Sequence, residues 1–176
     1  MEINIIKNQF IELHNKESQA IFRFCVLRVS DRETALDLTQ DIFMRYWDYI
    51  LKNKEKKIDS GRALLFAIAR NCIIDWYRKK KNISLESLVE DSENSFNKEG
   101  YFLQDNGGEK IEMEAEAELF IKKIEEVDIK YREAVYLRYV EELTPKEIAE
   151  VLKESVNVVS VHINRGLNQL RELLDI

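Results

Sequence analysis

The stretch from Leu143 to Leu170 constrains the fold most, because it carries the start and stop signals of two short helices. Thr144, Pro145 and Glu147 supply an N-cap, a first-turn proline and a capping box, and an apolar stripe at helical spacing follows. The polar residues 153–155 interrupt that stripe before a second amphipathic helix. This pattern is typical of a helix-turn-helix, whose second helix can enter a DNA major groove. A plain helical hairpin inside a helical core would give the same pattern.

The rest of the chain also favours helix. It has 176 residues with only one Pro and five Gly, which predicts an all-α protein. No apolar run reaches the roughly 18–20 residues of a membrane span, and the N-terminus has no signal-peptide core, so we expect a cytoplasmic protein without membrane insertion. Cys25 and Cys72 sit among apolar residues and are expected to be buried free thiols.

Charge divides the chain into three parts. Residues 1–81 carry 16 basic and 11 acidic side chains, residues 82–113 carry 2 and 8, and residues 114–176 carry 9 and 14. A basic first part, an acidic spacer and an acidic last part indicate charged partners rather than a particular fold. The middle part is also rich in Ser, Asn and Gly, so we expect an acidic flexible linker with a short helix near 84–90.

Helical periodicity predicts the elements on either side of that linker. The first helix is expected over 4–29, the second from a Ser30–Glu33 capping box to about Leu51, and the third from about Ser60 to Lys81. Four further helices are expected after Glu114, the last two forming the helix-turn-helix. The predicted fold is therefore two small helical domains, residues 1–81 and 114–176, joined by the linker.

The third helix ends in a basic run with aromatic neighbours. Its last residues include Trp76, Tyr77 and the cations of 78–81, and a lysine-rich loop precedes the helix. Basic side chains interleaved with aromatics suit single-stranded or melted nucleic acid, on which exposed bases can stack. Cations at a helix C-terminus also complement the helix dipole, but this run is longer than that effect requires.

Several segments, in this order, resemble the sigma-seventy family of bacterial RNA polymerase sigma factors, in its small extracytoplasmic-function form. They are DLTQDIF at 37–43, FAIARN at 66–71, IDWYRKK at 74–80, YRE at 131–133, LRYVE at 137–141 and TPKEIA at 144–149. The resemblance implies a first domain that binds core polymerase and the promoter's minus-ten element. It also implies a second domain that reads the minus-thirty-five element.

The resemblance assigns roles to individual residues. The polymerase-docking residues, expected on the clamp helices of the largest subunit, are Asp37, Leu38, Gln40 and Asp41. The minus-ten residues are Arg45, Arg62, Asn71, Arg78, Lys79, Lys80 and Lys81, with Asn71 expected at a flipped base. The recognition-helix residues are Asn157, Ser160, His162, Asn164 and Arg165. Lys153 stands at the turn where the family usually has Gly.

The implied partners are core RNA polymerase, through its clamp helices and flap, and promoter DNA, with an anti-sigma protein as a further candidate. No cofactor and no catalytic residue are expected: two His and two Cys lie far apart without metal-ligand spacing, and no Gly-rich phosphate loop occurs. Two alternatives remain open. One is a stand-alone helix-turn-helix regulator, which leaves the basic third helix unexplained. The other is a sigma-like protein that binds polymerase without reading a promoter.

Overall fold

The computed structural model of the chain describes residues 2–29, 31–85 and 115–175, and all the regular structure in these ranges is α-helical. The helices are α1 (Glu2–Val29), α2 (Arg32–Lys52), α3 (Gly61–Leu85), α4 (Ala115–Glu126), α5 (Ile129–Tyr139), α6 (Pro145–Leu152) and α7 (Val156–Leu173). The all-α prediction is therefore confirmed.

Helices α1, α2 and α3 form the first group, in which α2 packs against both of its neighbours. Their apolar stripes meet in a buried core to which α1 contributes Phe24, α2 Ile42 and α3 Phe66. The rings of Phe24 and Phe66 meet edge to face with their centroids 5.3 Å apart, a favoured aromatic geometry. The period-3.6 pattern in the sequence thus identified the helices and most of their buried faces.

Two boundaries differ from the sequence prediction. The N-cap of α2 is Asp31, whose carboxylate accepts a hydrogen bond from the Thr34 N–H at 2.7 Å, whereas the predicted cap, Ser30, lies outside the described residues. Helix α3 continues to Leu85 instead of ending near Lys81. Of the short helix expected at 84–90, only residues 84 and 85 are described, and they belong to α3. The predicted linker lies outside the described residues from residue 86 on.

Helices α4 to α7 form the second group, as the sequence predicts. The N-terminus of α6 has the expected capping box, with Thr144 accepting from the Glu147 N–H and Glu147 accepting from the Thr144 N–H at 2.9 Å. Helix α7 crosses α5 at Gly166, where an added Cβ would stand only 2.4 Å from a methyl carbon of Val135. A glycine inside α7 is therefore required for the close approach of these two helices.

The two groups pack against each other, mainly through α3 and α6, and this contact was not predicted from the sequence. Tyr136 of α5 lies beside Phe24, with ring centroids 6.0 Å apart, so the buried residues of both groups form one continuous apolar cluster. The sequence predicts two small helical domains, and the apolar contact between them is an additional feature of the structure. Around this apolar bridge the interface is polar, with ion pairs between Arg70 and Glu133 at 3.1 Å and between Lys146 and Asp59 at 3.5 Å.

Glu141 lies at the centre of this interface and is only 1% exposed. Its carboxylate accepts hydrogen bonds from Arg23 at 3.0 and 3.1 Å and from the Tyr136 hydroxyl at 2.8 Å. Arg62 of α3 lies 3.6 Å from the same carboxylate and also donates to the Glu141 backbone carbonyl. One buried carboxylate thus contacts two guanidinium groups of the first group, and Glu17 provides a second carboxylate to Arg62 at 2.8 Å. A buried charge held in this way is costly to leave without its partners.

Replacing Glu141 with Ala is expected to separate the two groups of helices without unfolding either. The change leaves Arg23 and the buried Tyr136 hydroxyl without their carboxylate, while Arg62 keeps only Glu17, a combined penalty of about 3–5 kcal/mol. Polar interfaces of this kind separate more readily than the cores on either side of them. Small-angle scattering should show an increased radius of gyration with unchanged helical circular dichroism. Glu150→Ala, an exposed change in the same group, serves as the control; equal radii for both variants would contradict the expectation.

Candidate polymerase and nucleic-acid interfaces

One side of α2 carries the residues proposed for polymerase docking. Asp37 and Gln40 are exposed and Asp41 is half-exposed, and their i, i+3, i+4 spacing places them side by side. Leu38, predicted with them, is only 9% exposed and packs in the core, so its assignment as a contact residue is corrected. We call the surface of Asp37, Gln40 and Asp41 the α2 face.

An apolar margin borders the α2 face and was not predicted from the sequence. Leu36 and Met44 are 43% and 67% exposed, and Met44 lies one helical turn beyond Gln40. Beside them, a groove of about 560 Å³ runs between α1 and α2, with Phe43 and Trp47 in its lining. The i, i+4, i+8 spacing of residues 36, 40 and 44 was the available signal. An apolar strip beside carboxylates suits an amphipathic protein partner better than DNA.

Arg45 connects the α2 face to α3. Its guanidinium lies 2.8 Å from the Asp41 carboxylate and 3.9 Å from that of Asp75. All three side chains are nearly half exposed, and such pairs contribute only about 0–1 kcal/mol to stability. Arg45 can therefore exchange a carboxylate for a phosphate at little cost, as its predicted place among the minus-ten residues would require.

Arg62 does not fit the role predicted for it. Its Nε donates to the Glu17 carboxylate at 2.8 Å, while its other nitrogens face Glu141. The Arg62 side chain is 27% exposed, but its guanidinium is held between two carboxylates whose side chains are 3% and 1% exposed, so its nitrogens are occupied by protein groups while the two groups of helices are packed together. Because Glu141 comes from the second group of helices, the sequence pattern of the first group could not reveal this.

The remaining minus-ten candidates lie along the outer part of α3. Asn71, Arg78, Lys79 and Lys80 are exposed and Lys81 is half-exposed, and Asn71 and Arg78 share a face because they are seven residues apart. The Lys80 ammonium lies 4.9 Å from the centre of the Trp76 ring. Tyr77, by contrast, donates its hydroxyl proton to the Arg28 backbone carbonyl. The basic run is therefore accessible, and Trp76 is the aromatic side chain associated with it.

The recognition helix α7 presents most of its predicted residues to solvent. Asn157, Asn164 and Arg165 are exposed. Ser160 is half-buried and donates its hydroxyl proton to the Val156 carbonyl at 2.8 Å, so that hydroxyl can only accept from a base edge. Asn157 and Asn164 lie on the side of α7 opposite Gly166 and the core, whereas Arg165 lies at the margin and donates to the Tyr131 hydroxyl at 3.4 Å.

His162, also predicted as a base-reading residue, points inward and its assignment is corrected. It is 7% exposed, its ring centroid lies 5.5 Å from that of Tyr131, and its Nδ1 is 3.3 Å from the Glu154 carboxylate. The residue therefore joins the helix-turn-helix turn to α5. Its spacing of three from the buried Val159 and four from the buried Gly166 was the signal that it lies on the buried side.

The turn between α6 and α7 requires an unusual backbone conformation. Lys153 has φ 58° and ψ 41°, the left-handed region, and the Glu154 N–H donates to the Ala149 carbonyl at 3.1 Å. Glycine is the residue that adopts this conformation without strain. Lys153, which stands where the family usually has Gly, therefore keeps the turn geometry but lowers the stability of the protein.

Replacing Lys153 with Gly is expected to stabilise the protein. The left-handed conformation costs a residue with a side chain about 1 kcal/mol, and glycine avoids this cost. Part of the resulting gain in stability is offset by the greater freedom of glycine in the unfolded chain. We expect a net gain of about 0.5–1 kcal/mol in the free energy of unfolding, measured by urea denaturation. Lys153→Ala is the matched control, since it removes the charge and keeps the strain. Equal gains in both variants would assign the effect to charge instead.

The described residues lack features typical of a reactive or membrane-spanning site. Burial raises the pKa of the Cys25 thiol to about 12 and that of Cys72 to about 11, so both stay protonated and poorly nucleophilic at neutral pH. Both are free and buried, as the sequence predicts. Over the described ranges, no three metal-ligating side chains come together and no helix is long and apolar enough to cross a bilayer.

Comparisons with known protein families agree with this arrangement. Residues 13–83 match the family model "Sigma-70 region 2", and residues 117–170 match "Sigma-70, region 4". The RNA polymerase sigma factor SigZ of Bacillus subtilis is 30% identical over 166 residues, which cover 93% of this chain and 86% of SigZ. The ECF RNA polymerase sigma factor SigM of the same organism is 28% identical over 146 residues, 82% of each chain.

Solved structures show the same fold. The sigma factor RpoE, in complex with the anti-sigma factor NepR from Bartonella quintana, aligns over 96% of this chain and 98% of its own, with a TM-score of 0.63 and 22% identity. CnrH, in complex with the cytosolic domain of CnrY, aligns over 96% of this chain and 89% of its own, with a TM-score of 0.59 and 21% identity.

Proposed function

The chain belongs to the sigma-70 family of RNA polymerase sigma factors. On this basis we propose which of its surfaces bind core polymerase and which bind promoter DNA. The protein directs transcription initiation by binding core polymerase and promoter DNA. Its family members are transcription initiation factors, and we propose that the polymerase alone supplies catalysis. The observation that carries this division is the order of surfaces along one chain: the α2 face, the basic end of α3 and the exposed side of α7.

The α2 face is proposed to dock on the clamp helices of the polymerase's largest subunit. Exposed Asp37 and Gln40 with half-exposed Asp41 offer carboxylates and an amide to a basic helical partner. Leu36 and Met44 supply the apolar margin that a protein interface needs. This apolar contribution takes the place of Leu38, which is buried.

The outer surface of α3 is proposed to hold the minus-ten element. Asn71 carries both a donor and an acceptor suited to the edge of a flipped base, and Trp76 can stack on a neighbouring one. Arg45 and the cations of 78–81 contact phosphates. A base taken from the stack costs a few kcal/mol, which these contacts offset.

The second group is proposed to read the minus-thirty-five element with α7 in the major groove, while α6 lies across the DNA backbone. We extend the proposal to an anti-sigma partner because RpoE and CnrH have each been solved in complex with a partner protein, NepR and the cytosolic domain of CnrY. The packing of α3 on α6 would have to loosen for the two groups to reach separate promoter elements. The proposed place of action is the cytoplasm.

Electrophoretic mobility assays with core polymerase test the binding part of this proposal. The full chain should shift core polymerase, and promoter DNA should be shifted only by the combination of the two. A chain that shifts DNA alone would support a stand-alone regulator. A chain that shifts polymerase without making it bind any promoter would support an interaction protein that does not read DNA.

A further inference from the structure

The N-terminal half of α7 exposes valines where a solvent-facing helix usually has charged residues. Val156, Val158 and Val161 are 44%, 42% and 45% exposed. Valine, asparagine and serine, which dominate residues 156–164, are all weak helix formers compared with Ala, Glu, Lys or Arg. Neither solubility nor helix stability explains this choice of residues on an open surface.

Val161 occupies the middle of the exposed side. In an α-helix, residues at i, i+4 and i+7 lie on one face, so Asn157, Val161 and Asn164 form one line along the helix. All three are exposed, and the buried Val159 and Gly166 lie on the opposite side. A helix laid in a groove along this line would place a methyl-bearing side chain between two amides. We call these three residues the reading line.

Charge indicates what the reading line can approach. The chain is acidic overall, yet the run from Ser155 to Arg171 contains no Asp or Glu and includes two Arg. A carboxylate on this surface would repel a phosphate backbone, and its absence from the whole run removes that penalty. The exposed Arg165 lies beside the reading line and adds a cation. The surface is thus compatible with a polyanion despite its few charges.

We propose that Val161 is a specificity-determining residue that contacts the 5-methyl group of a thymine in the minus-thirty-five element, with Asn157 and Asn164 hydrogen-bonding adenines on either side. This inference rests on the proposed function. In the major groove, thymine is marked by its methyl group, which apolar side chains contact. Adenine is marked by an acceptor and a donor that the asparagine amide matches. The reading line therefore selects A·T pairs.

The element itself can be obtained by selection. Holoenzyme reconstituted from the full chain and core polymerase is incubated with promoters randomised over the minus-thirty-five segment, and bound DNA is sequenced. We expect enrichment of a short block of A·T pairs. Enrichment of a block of G·C pairs alone would overturn the proposal, because the reading line lacks an Arg or Lys for guanine.

Replacing each thymine of the selected element with uracil then isolates the methyl contact. Uracil pairs like thymine but lacks the methyl, so at one position wild-type holoenzyme should bind about 3- to 5-fold more weakly, the loss expected for one buried methyl. In Val161→Ala, whose shorter side chain reaches the methyl less closely, the same exchange should have a clearly smaller effect. Val156→Ala is the matched control: Val156 has the same exposure but lies about 140° around the helix, so it should keep the full uracil penalty.

Besides selection of G·C pairs alone, three results would overturn the inference. They are uracil tolerance at every position in the wild type, a uracil penalty that persists undiminished in Val161→Ala, and weaker binding of Val161→Ala to core polymerase without DNA. The last would show that the surface receives a protein. If holoenzyme initiates normally but tolerates uracil, the inference fails and the proposed function remains. If the chain never forms holoenzyme, both the inference and the proposed function fail. Alanine is a better helix former than valine, so Val161→Ala is expected to fold.

Discussion

The double variant Asp37→Lys with Asp41→Lys is expected to lose binding to core polymerase, by about 100-fold or more, while keeping its helical fold. Each change places a cation on the α2 face, opposite a partner surface that the proposal takes to be basic. Juxtaposing like charges across an interface costs several kcal/mol, and every 1.4 kcal/mol is a factor of ten in affinity. Affinity is measured by titrating labelled core polymerase with each variant.

The α2 face tolerates this change structurally. Asp37 is exposed, and the Asp41–Arg45 pair is nearly half exposed on both sides, so its loss costs at most about 1 kcal/mol. The control is Glu12→Lys with Glu172→Lys, two exposed acids outside the proposed surfaces that give the same change in net charge. Wild-type affinity in the double variant, or an equal loss in the control, would refute the docking assignment.

Changing Lys79, Lys80 and Lys81 to Glu is expected to block initiation while leaving polymerase affinity unchanged. These lysines lie at the basic end of α3, the part of the helix proposed for DNA, and Glu residues there would repel phosphates. Losing three cationic contacts to DNA should weaken promoter binding by about 100-fold or more and make its salt dependence shallower by about 2–3 in the log–log slope. Open-complex formation measured over a salt series gives both numbers.

The matched control for the lysine run changes three other exposed lysines, Lys16, Lys122 and Lys130, to Glu. It alters the net charge equally but touches no surface assigned to the minus-ten element. Promoter binding in this control should stay within a few fold of the wild type. If the variant of residues 79–81 initiates as well as the wild type, these lysines have no role in binding DNA. If it also loses affinity for polymerase, the lysines belong to the polymerase interface instead.

Local signals in the sequence were sufficient for most of the helices. The capping box at Thr144 and Glu147 depends only on residues three apart, and the structure has it as predicted. The helix-turn-helix prediction is confirmed for the same reason. The predicted cap at Ser30 was off by one residue because Ser30 and Asp31 are adjacent N-cap formers that a sequence pattern ranks equally.

The candidate site was predicted less well, because the direction of a side chain depends on what packs beside its helix. His162 faces inward because Tyr131 lies behind α7 and Glu154 is within reach. Arg62 is occupied because Glu141, far along the chain, meets it in the folded protein. Contacts between distant segments leave no periodic signal, so the packing of the two groups of helices could not be predicted from the sequence.

Run-off transcription with purified components tests the central claim most directly. Core polymerase is mixed with the full chain and a pool of bacterial promoter fragments, and defined transcripts are counted with and without the chain. Defined start sites that require the chain are the expected result. If core polymerase gives the same random products whether or not this chain is added, across the whole pool, the assignment of promoter-directed initiation to these surfaces is contradicted.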